Sequence, residues 1–196
     1  AADYDTLIRW GSQYAAGRPL YIGEDVERTV KNADLNNPQQ HQMATKYYLH
    51  SILPNIDGTV LWYAKAAVDN IGNYGTMLRT KYWRTPALQP LMPFIDDTKP
   101  GVVSKLKPVW TSDGYMLFWQ APKYNDWRDK PEKYVVYQFG AKEEINIDDP
   151  THIVGITSDT WIKLPYENGK TKYMYVVTSL NRLSNEGNYV KKKIKL

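Results

Sequence analysis

The stretch RPLYIGEDVERT, residues 18–29, joins a short apolar run to two adjacent carboxylates. Residues 19–23 are apolar without alternation, which is typical of a parallel strand covered on both faces. Glu24 and Asp25 follow this run directly. The stretch therefore predicts a buried parallel strand that ends in two acidic side chains, and the role of those side chains decides what this part of the chain does.

A second apolar run, GTVLWY at residues 58–63, predicts another parallel strand. Helical patterns flank the two strands over residues 5–15, 39–53 and 76–83. Two strands leave their outer backbone edges unpaired, and three helices do not bury both faces of a sheet. We therefore expect residues 1–95 to be the last two β/α units of a (β/α)8 barrel. The exposed sheet edge would be covered by upstream chain or by another copy of the protein.

The pattern changes after residues 96–101, a polar segment with Pro and Gly that is typical of a linker. Residues 102–196 contain seven short apolar segments separated by turn-forming residues. This spacing predicts an antiparallel β-sandwich, with Trp119 packed in its core. The expected fold class is α/β plus all-β.

The composition excludes several kinds of site. A net charge of +4 over 196 residues, without a clustered basic face, does not indicate a nucleic-acid partner. The basic run at residues 191–193 predicts a charged edge strand, with polyanion binding as the alternative.

Cysteine is absent and the three histidines are scattered, so we expect no disulfide, metal site or cofactor. No apolar run reaches the roughly 20 residues that would span a membrane.

Aromatic residues are unevenly distributed among types, with 7 Trp and 16 Tyr against 3 Phe. Trp and Tyr combine an apolar ring with a polar edge and suit surfaces that are partly hydrated. A sugar-binding cleft is such a surface, because the C–H face of a pyranose stacks on a ring. The cores of β-sandwiches use the same residues, so the composition is compatible with both.

The second half resembles a fibronectin type III domain. The resemblance is carried by Trp119, by Leu164-Pro165, by the SNEG turn and by the pattern Tyr173-x-x-x-Val177-x-Ser179-x-Asn181. It implies a tyrosine corner, in which Tyr173 donates a hydrogen bond to the backbone and serves packing.

The first half resembles the C-terminal segment of the bacterial glycosyl-hydrolase-like family 10, whose barrel is often followed by such a sandwich. The matching stretches are GRPLYIGEDVERT (17–29), NNPQQHQM (36–43), GTVLWYAKAAVDN (58–70) and ALQPLMPFID (87–96). Together the resemblances cover nearly all of this chain but only the latter part of the family's barrel. They imply a secreted, periplasmic or cell-surface protein whose partner is a carbohydrate.

This resemblance gives the two carboxylates a role. Active-site groups of a barrel lie at the C-terminal ends of its strands, and the two predicted strands would be strands seven and eight. Many retaining glycosidases carry a nucleophilic Glu after strand seven and a Trp at the end of strand eight, which Glu24 and Trp62 match. Asp25 is the alternative carboxylate. Hydrolysis requires two carboxyl groups on opposite sides of the glycosidic bond, about 5 Å or more apart. Glu24 and Asp25 are adjacent at one strand end and would lie on one side of the substrate. The second catalytic carboxylate would therefore come from strands outside this chain.

The segment after the second strand supplies further candidates for substrate binding. The complete predicted set is Trp62, Tyr63, Lys65, Asp69, Asn70 and Tyr74. Each of them has a structural alternative, as a surface residue or, for Trp62, as barrel core. Glu24 and Asp25 could likewise form a strand-end turn with an ion pair to Arg28. Three other aromatic residues are expected to pack helices in the first half: Trp10, Tyr82 and Trp83.

Two functions are favoured over the third, polyanion binding through residues 191–193. In the first, the chain is the C-terminal part of a glycoside hydrolase and is inactive alone, because one catalytic carboxylate is missing. In the second, it is a non-catalytic carbohydrate-binding or adhesion module, with Trp127 and Trp161 as the sugar-stacking platform unless they serve packing.

Overall fold

The computed structural model describes residues 3–32 and 41–196, and it divides into two compact units, Ala1–Arg84 and Thr85–Leu196. The boundary predicted at residue 95 falls inside the second unit. The first part of the helix predicted over residues 39–53, and most of the NNPQQHQM stretch, lie outside the described residues.

The first unit consists of a two-stranded parallel sheet and short helices. Strand β1 is Leu20–Asp25 and strand β2 is Ile56–Trp62. The helices are α1 Tyr4–Gln13, α2 Val26–Val30, α3 Met43–Ile52, α4 Lys65–Val68 and α5 Tyr74–Met77, with a 3-10 turn at Ile71–Asn73 and a π-helical turn at Leu78–Tyr82. Within the described ranges, neither outer edge of this sheet is paired with another strand. The two predicted strands and their parallel pairing are confirmed, whereas closure into a barrel stays a prediction.

The two faces of this parallel sheet have different surroundings. Glu24 and Leu61 lie on one face, beneath the helices, where Leu61 packs against the core of the unit. The opposite face carries Tyr21, Val60 and Trp62, all of which are exposed. Because side chains alternate along a strand, residues that follow one another in sequence lie on opposite faces.

The core of the first unit lies on the covered side of the sheet. Its buried residues are Val26, Val30, Met43, Tyr47, Ala66, Tyr74 and Leu78. Tyr82 stacks on Tyr47 at 4.4 Å between ring centroids, which confirms the packing role predicted for Tyr82. Trp83 contacts Tyr47 edge-on but is half exposed.

Trp10, which was expected to pack helix α1 against a barrel, is exposed on that helix. Asp3 begins the helix by accepting a hydrogen bond from the Thr6 N–H at 3.0 Å. The helix buries Ile8 and Ser12, which lie one turn apart on its inner side. Trp10 lies outside that row and is exposed, so its predicted packing role is not found in the described chain.

The second unit contains two antiparallel sheets. Its strands are β3 Ser104–Thr111, β4 Gly114–Gln120, β5 Lys133–Gly140, β6 Ile153–Thr157, β7 Trp161–Lys163, β8 Lys172–Leu180 and β9 Val190–Lys195. One sheet has the order β3-β4-β7 and the other the order β6-β5-β8-β9. The strands coincide with the seven apolar segments of the sequence, and the charged run at residues 191–193 lies in the edge strand β9, as predicted.

The two sheets pack face to face around a shared core, which makes this unit a β-sandwich. Leu117 and Trp119 of one sheet are buried with Val136 and Val177 of the other. Trp119 contacts the Tyr134 ring at 5.5 Å, and its predicted place in the core is confirmed. A second cluster lies on the outer face of the four-stranded sheet.

The tyrosine corner predicted from Tyr173 is not formed. Within the part of the chain that the structure describes, the Tyr173 hydroxyl has no hydrogen bond. The neighbouring inward-facing tyrosine, Tyr175, is fully buried and donates to Gln138 Oε1 at 2.8 Å. A buried hydroxyl needs a partner, whereas the half-buried Tyr173 reaches water, and this difference explains which of the two is bonded.

The segment predicted as a linker, residues 96–101, is held by side chains of the sandwich. The buried amide of Asn181 donates to the Thr98 carbonyl at 2.8 Å, and that of Asn185 donates to the Asp96 carbonyl at 3.0 Å. These carbonyls accept from buried amide groups, and the Asn181 amide also donates to the Arg128 carbonyl at 2.6 Å. The segment is therefore part of the sandwich fold.

Candidate functional site

Glu24 lies at the centre of a buried polar network beneath the parallel sheet. Its side chain is 1% exposed. Lys46 Nζ lies 2.5 Å from Oε2, and the Tyr4 hydroxyl donates to Oε1. His50 Nε2 lies 3.4 Å from Oε1. The carboxylate thus joins helices α1 and α3 to strand β1, and its oxygens are enclosed by these three side chains.

The hydrogen bonds around Glu24 have one consistent direction. Tyr4 donates to Glu24, so its oxygen is left to accept from His50 Nε2, which lies 2.8 Å away. His50 Nδ1 lies 2.9 Å from the Thr59 hydroxyl. The hydrogen bonds from His50 through Tyr4 to Glu24 place a proton on Nε2 of the imidazole.

The electrostatics of the network keep Glu24 ionised. Burial by itself raises the pKa of Glu24, but hydrogen bonds from His50, Lys46 and Tyr4, together with the Lys46 charge, outweigh burial and hold this pKa below its ordinary value. Burial and the hydrogen bond to Glu24 raise the pKa of the Tyr4 phenol, which therefore stays a donor. The arrangement is that of a buried, fully partnered anion.

Asp25 lies on the opposite face from Glu24 and is exposed. Its Oδ1 accepts a hydrogen bond from the Arg28 backbone N–H at 3.1 Å, and Asp25 is the N-cap of helix α2. The predicted strand-end turn is present, but it uses the backbone of Arg28 rather than its guanidinium. One carboxylate oxygen, Oδ2, makes no hydrogen bond to the described part of the chain.

Trp62 lies directly beside Asp25. The two residues are register partners at the C-terminal ends of the paired strands β2 and β1. Trp62 is 69% exposed, so it does not belong to the core of this unit. Tyr21 and Val60 continue the same face, which is apolar except for Asp25 at its C-terminal end. A carboxylate beside a free indole is an arrangement that can hold a sugar ring while acting on an adjoining oxygen.

Tyr63 follows Trp62 in a backbone conformation that is unusual for its residue type. Its φ is 66°, in the left-handed region, and its side chain is exposed. A bulky residue in this region carries about 1–3 kcal/mol of strain, and such strain is concentrated at functional sites. The chain turns sharply at this point, immediately after the exposed indole.

Two substitutions of Tyr63 that both remove the ring test whether this backbone conformation is strained. Tyr63→Gly is expected to be more stable than Tyr63→Ala by about 1 kcal/mol, because only glycine adopts a positive φ without steric cost. Chemical unfolding followed by far-ultraviolet circular dichroism measures the difference. The same pair of substitutions at Tyr14, which has no such φ, should reverse the order, because Gly is the weaker helix former near a helix end. Equal stabilities at position 63 would contradict the strain.

Three other predicted contacts belong to the loop after β2. Lys65 and Asp69 are exposed and form an ion pair one helical turn apart. Asn70 has a φ of 54°, and its Oδ1 accepts from the Thr76 N–H at 2.9 Å, so its side chain holds the loop. Lys65 and Asp69 are therefore still accessible from solvent. The Asn70 side chain is occupied by its hydrogen bond to the backbone of the loop.

Tyr74, the last predicted contact, is fully buried. Its hydroxyl lies 2.7 Å from the Tyr47 hydroxyl, and burial, set against the hydrogen bond from Tyr47, raises the pKa of Tyr74 to about 12. Its ring is part of the core. Tyr74 is therefore a packing residue, and its substrate-binding role is withdrawn because the side chain is not accessible.

Sequence reasoning missed the partners of Glu24. Lys46 and His50 are four residues apart on α3, so both face the sheet from one side of that helix. A basic pair at this spacing, following a strand with a carboxylate, is a signal that could have been found. Tyr4 carries no comparable signal, because its helix reaches Glu24 only through the tertiary fold.

In the sandwich, the predicted platform of Trp127 and Trp161 is not assembled. Trp127 is 55% exposed and Trp161 is also exposed. No ring contact joins the two within the described residues. Each is a single exposed indole rather than part of a shared surface.

Among the residues that the structure describes, no group of three His, Cys, Asp or Glu side chains is arranged to hold a metal ion. The same residues include no helix with the length and apolarity needed to cross a bilayer.

No family model matches the chain. A curated relative, "Glycosyl hydrolase YngK" of Bacillus subtilis (strain 168), is 27% identical over 200 residues, which cover 100% of this chain and 38% of the relative. The chain thus spans well under half the length of that protein. Among solved structures, domains d3–d4 of the rat CD45 extracellular region match over 51% of each chain, with 18% identity and a TM-score of 0.36.

Proposed function

We propose that this chain is the C-terminal part of a glycoside hydrolase, in which the exposed face of the parallel sheet lines the substrate cleft. The similarity to a longer protein described as a glycosyl hydrolase supports the reaction class. The observation that carries the proposal for the site is the pair of Asp25 and Trp62 at the ends of neighbouring parallel strands. Asp25 has a carboxylate oxygen without a hydrogen bond to the described residues, and it lies beside an exposed indole.

The position of this pair agrees with barrel chemistry. In a barrel, helices cover the outer face of the sheet, and side chains on the other face point inward. Glu24 lies on the helix-covered face and Asp25 on the other. Groups at the C-terminal ends of strands line the active site of such folds, which is where Asp25 and Trp62 lie.

Asp25 is therefore the better candidate for the catalytic carboxylate, and Glu24 is a structural residue that holds helices α1 and α3 to strand β1. Glu24 is enclosed by three partners, and a substrate could reach it only by breaking them. Asp25 has an oxygen, Oδ2, that makes no hydrogen bond to the described residues, so it can bind a proton or a substrate atom. Its capping bond to Arg28 fixes the side chain without consuming both oxygens. The second carboxylate that hydrolysis requires would come from strands outside this chain.

The exposed apolar surfaces of the first unit support the presence of further chain. Val60 and Trp62 on the sheet are exposed, as are Leu7 and Trp10 on helix α1 and Tyr14 at its C-cap. Apolar surface on this scale in a small unit marks an interface or a binding site. Additional β/α units would cover the helix side and close the sheet around a cleft.

The experiment that tests this function compares the 196-residue chain with the product of the complete reading frame that contains it. Both are incubated with a panel of polysaccharides and aryl glycosides, and reducing ends or released phenols are measured. We expect turnover from the longer protein and none above background from this chain. Equal turnover by both, or none by the longer protein on any glycan, would contradict the proposal.

Within the longer protein, Trp62→Ala is expected to lower kcat/KM about tenfold to a hundredfold, because the substrate loses its stacking surface. Thermal stability should change little, since the indole is exposed. Trp127→Ala, which removes an exposed Trp from the sandwich, is the matched control and should leave kcat/KM unchanged. Loss of activity in both variants alike would point to a general effect rather than to a substrate contact.

A further inference from the structure

Three aromatic rings form a cluster at one end of the sandwich. The rings of Trp110 and Tyr115 stack at 4.9 Å between centroids with an interplanar angle of 26°. Tyr166 meets Trp110 nearly perpendicularly, at 4.8 Å and 78°, and meets Tyr115 at 5.7 Å and 77°. Trp110 is 59% exposed and Tyr166 is 44% exposed. We call these three residues the ring cluster.

The backbone around the ring cluster holds the rings in place. Trp110 and Tyr115 are register partners across the β3–β4 hairpin. The Leu164 N–H donates to the Tyr115 carbonyl at 2.8 Å, and the Tyr166 N–H donates to the Leu164 carbonyl at 3.0 Å. These bonds bring the loop that carries Tyr166 against the hairpin. Because the rings are fixed before any ligand binds, little conformational entropy would be lost on binding.

The polar tips of the ring cluster are available to a ligand. Within the described chain, the Trp110 indole N–H and the hydroxyls of Tyr115 and Tyr166 make no hydrogen bond. Two fully buried tyrosines of the same unit differ, since Tyr137 donates to Glu186 and Tyr175 donates to Gln138. The ring cluster therefore offers flat apolar faces edged by free donors and acceptors, which is the surface that a sugar ring and its hydroxyls match.

The size of the ring cluster argues for a small contact rather than a protein partner. A Trp or Tyr side chain buries 150–250 Å², so at the observed exposures the three rings offer roughly 300 Å². A stable protein–protein interface needs about 800 Å² on each partner. Two or three pyranose units of a polysaccharide would cover the cluster, whereas a second copy of the chain would need much more surface.

We propose that the ring cluster of Trp110, Tyr115 and Tyr166 is a non-catalytic binding site for a polysaccharide whose pyranose rings carry equatorial hydroxyls. Such rings present a flat C–H face for stacking on Trp110 and Tyr166. The ring cluster belongs to the second unit, whereas Asp25 and Trp62 belong to the first, and its residues differ from the Trp127 and Trp161 platform expected from sequence. It rests on the proposed function only for the choice of carbohydrate as the ligand class.

Affinity electrophoresis of the 196-residue chain in native gels tests this site. The gels contain hydroxyethylcellulose or xylan as the probe. We expect at least one polymer to retard the chain, and Trp110→Ala and Tyr166→Ala each to weaken binding about tenfold. Tyr166→Phe, which keeps the ring and removes only the hydroxyl, should retain most of the affinity. Trp127→Ala is the matched control and should migrate as the unsubstituted chain does.

Near-ultraviolet circular dichroism establishes that each variant keeps its folded core, including the buried Trp119. The proposal is overturned if no polymer retards the chain, if Trp110→Ala binds as well as the unsubstituted chain, or if Trp127→Ala weakens binding equally. It is also overturned if the ring cluster mediates self-association, detected as a dimer by light scattering that Trp110→Ala abolishes.

These outcomes are independent of the proposed hydrolase activity. If the longer protein cleaves no glycan while this chain is still retarded, the hydrolase proposal fails and the ring-cluster site stands. If the longer protein cleaves a glycan while Trp110→Ala leaves retardation unchanged, the reverse holds.

Discussion

Glu24→Gln is expected to lower the free energy of unfolding of the first unit by about 3–5 kcal/mol, because it leaves the charge of Lys46, whose side chain is 17% exposed, without its buried counterion. Gln has nearly the same shape as Glu, so the loss reports charge and hydrogen bonding rather than a cavity. The Tyr4 hydroxyl and the His50 ring would also lose their anionic partner.

Guanidinium unfolding monitored at 222 nm measures this loss, since the described helices lie in the first unit, apart from a 3-10 turn in the sandwich. The double variant Glu24→Gln, Lys46→Met should recover a large part of the stability, because it removes the unpaired charge as well. Asp25→Asn is the matched control at the neighbouring position, and it should unfold as the unsubstituted chain does. A Glu24→Gln variant of unchanged stability would show that the network does not hold the unit together.

The contribution of the Glu24–Lys46 ion pair to the free energy of unfolding depends on pH. Since the pKa of Glu24 in the folded chain lies below its ordinary value of 4.5, its contribution to stability is present above pH 4.5. That contribution is lost as the pH falls through the lowered pKa of the folded state. The stability of Glu24→Gln should therefore depend less on pH in this acidic range than that of the unsubstituted chain.

Asp25→Asn in the longer protein is expected to lower kcat by a factor of about 10²–10⁴, the usual contribution of a catalytic acid or base. Asn caps a helix as well as Asp does, so helix α2 should stay intact and the unfolding transition should not move. Steady-state kinetics on the glycan that the panel identifies, together with a thermal melt, measures both effects.

Asp25→Asn and Glu24→Gln therefore separate two roles for adjacent carboxylates. Loss of activity without loss of stability at Asp25, and loss of stability at Glu24, would establish the assignment. Full activity of Asp25→Asn would exclude Asp25 as the acid, base or nucleophile. If a folded Glu24→Gln variant, assayed well below its unfolding temperature, were the inactive one, the sequence-based choice of Glu24 would be restored.

The sequence predicted the secondary structure because its apolar patterns are regular. Two continuous apolar runs became the paired strands β1 and β2, and seven short segments became the sandwich strands. Boundaries moved by a few residues where capping decides them, as at Asp25, which ends β1 and caps α2. The short helices α2 and α4 were not predicted, since four or five residues carry too little periodicity to indicate a helix.

The candidate site was predictable only in part, for a reason that lies in strand geometry. The alternation of side chains already separates Glu24 from Asp25, but the sequence does not say which face the helices cover. That choice is made by Lys46 and His50, which reach Glu24 from α3 across more than 20 residues of chain. Tyr74 was misassigned because its distance from Trp62 in sequence is short, although the intervening turns carry it into the core.

The carbonyls of residues 96–101 are acceptors for amides inside the sandwich, and this limits where the protein can be cut. A fragment that began at residue 102 would strip Asn181 and Asn185 of these acceptors and cost about 1–3 kcal/mol for each donor left unpaired. Insertions at this point would be tolerated poorly for the same reason. Residues 96–101 have the composition of a flexible linker but form part of the folded sandwich. A stable fragment that contains the sandwich therefore has to begin before Asp96.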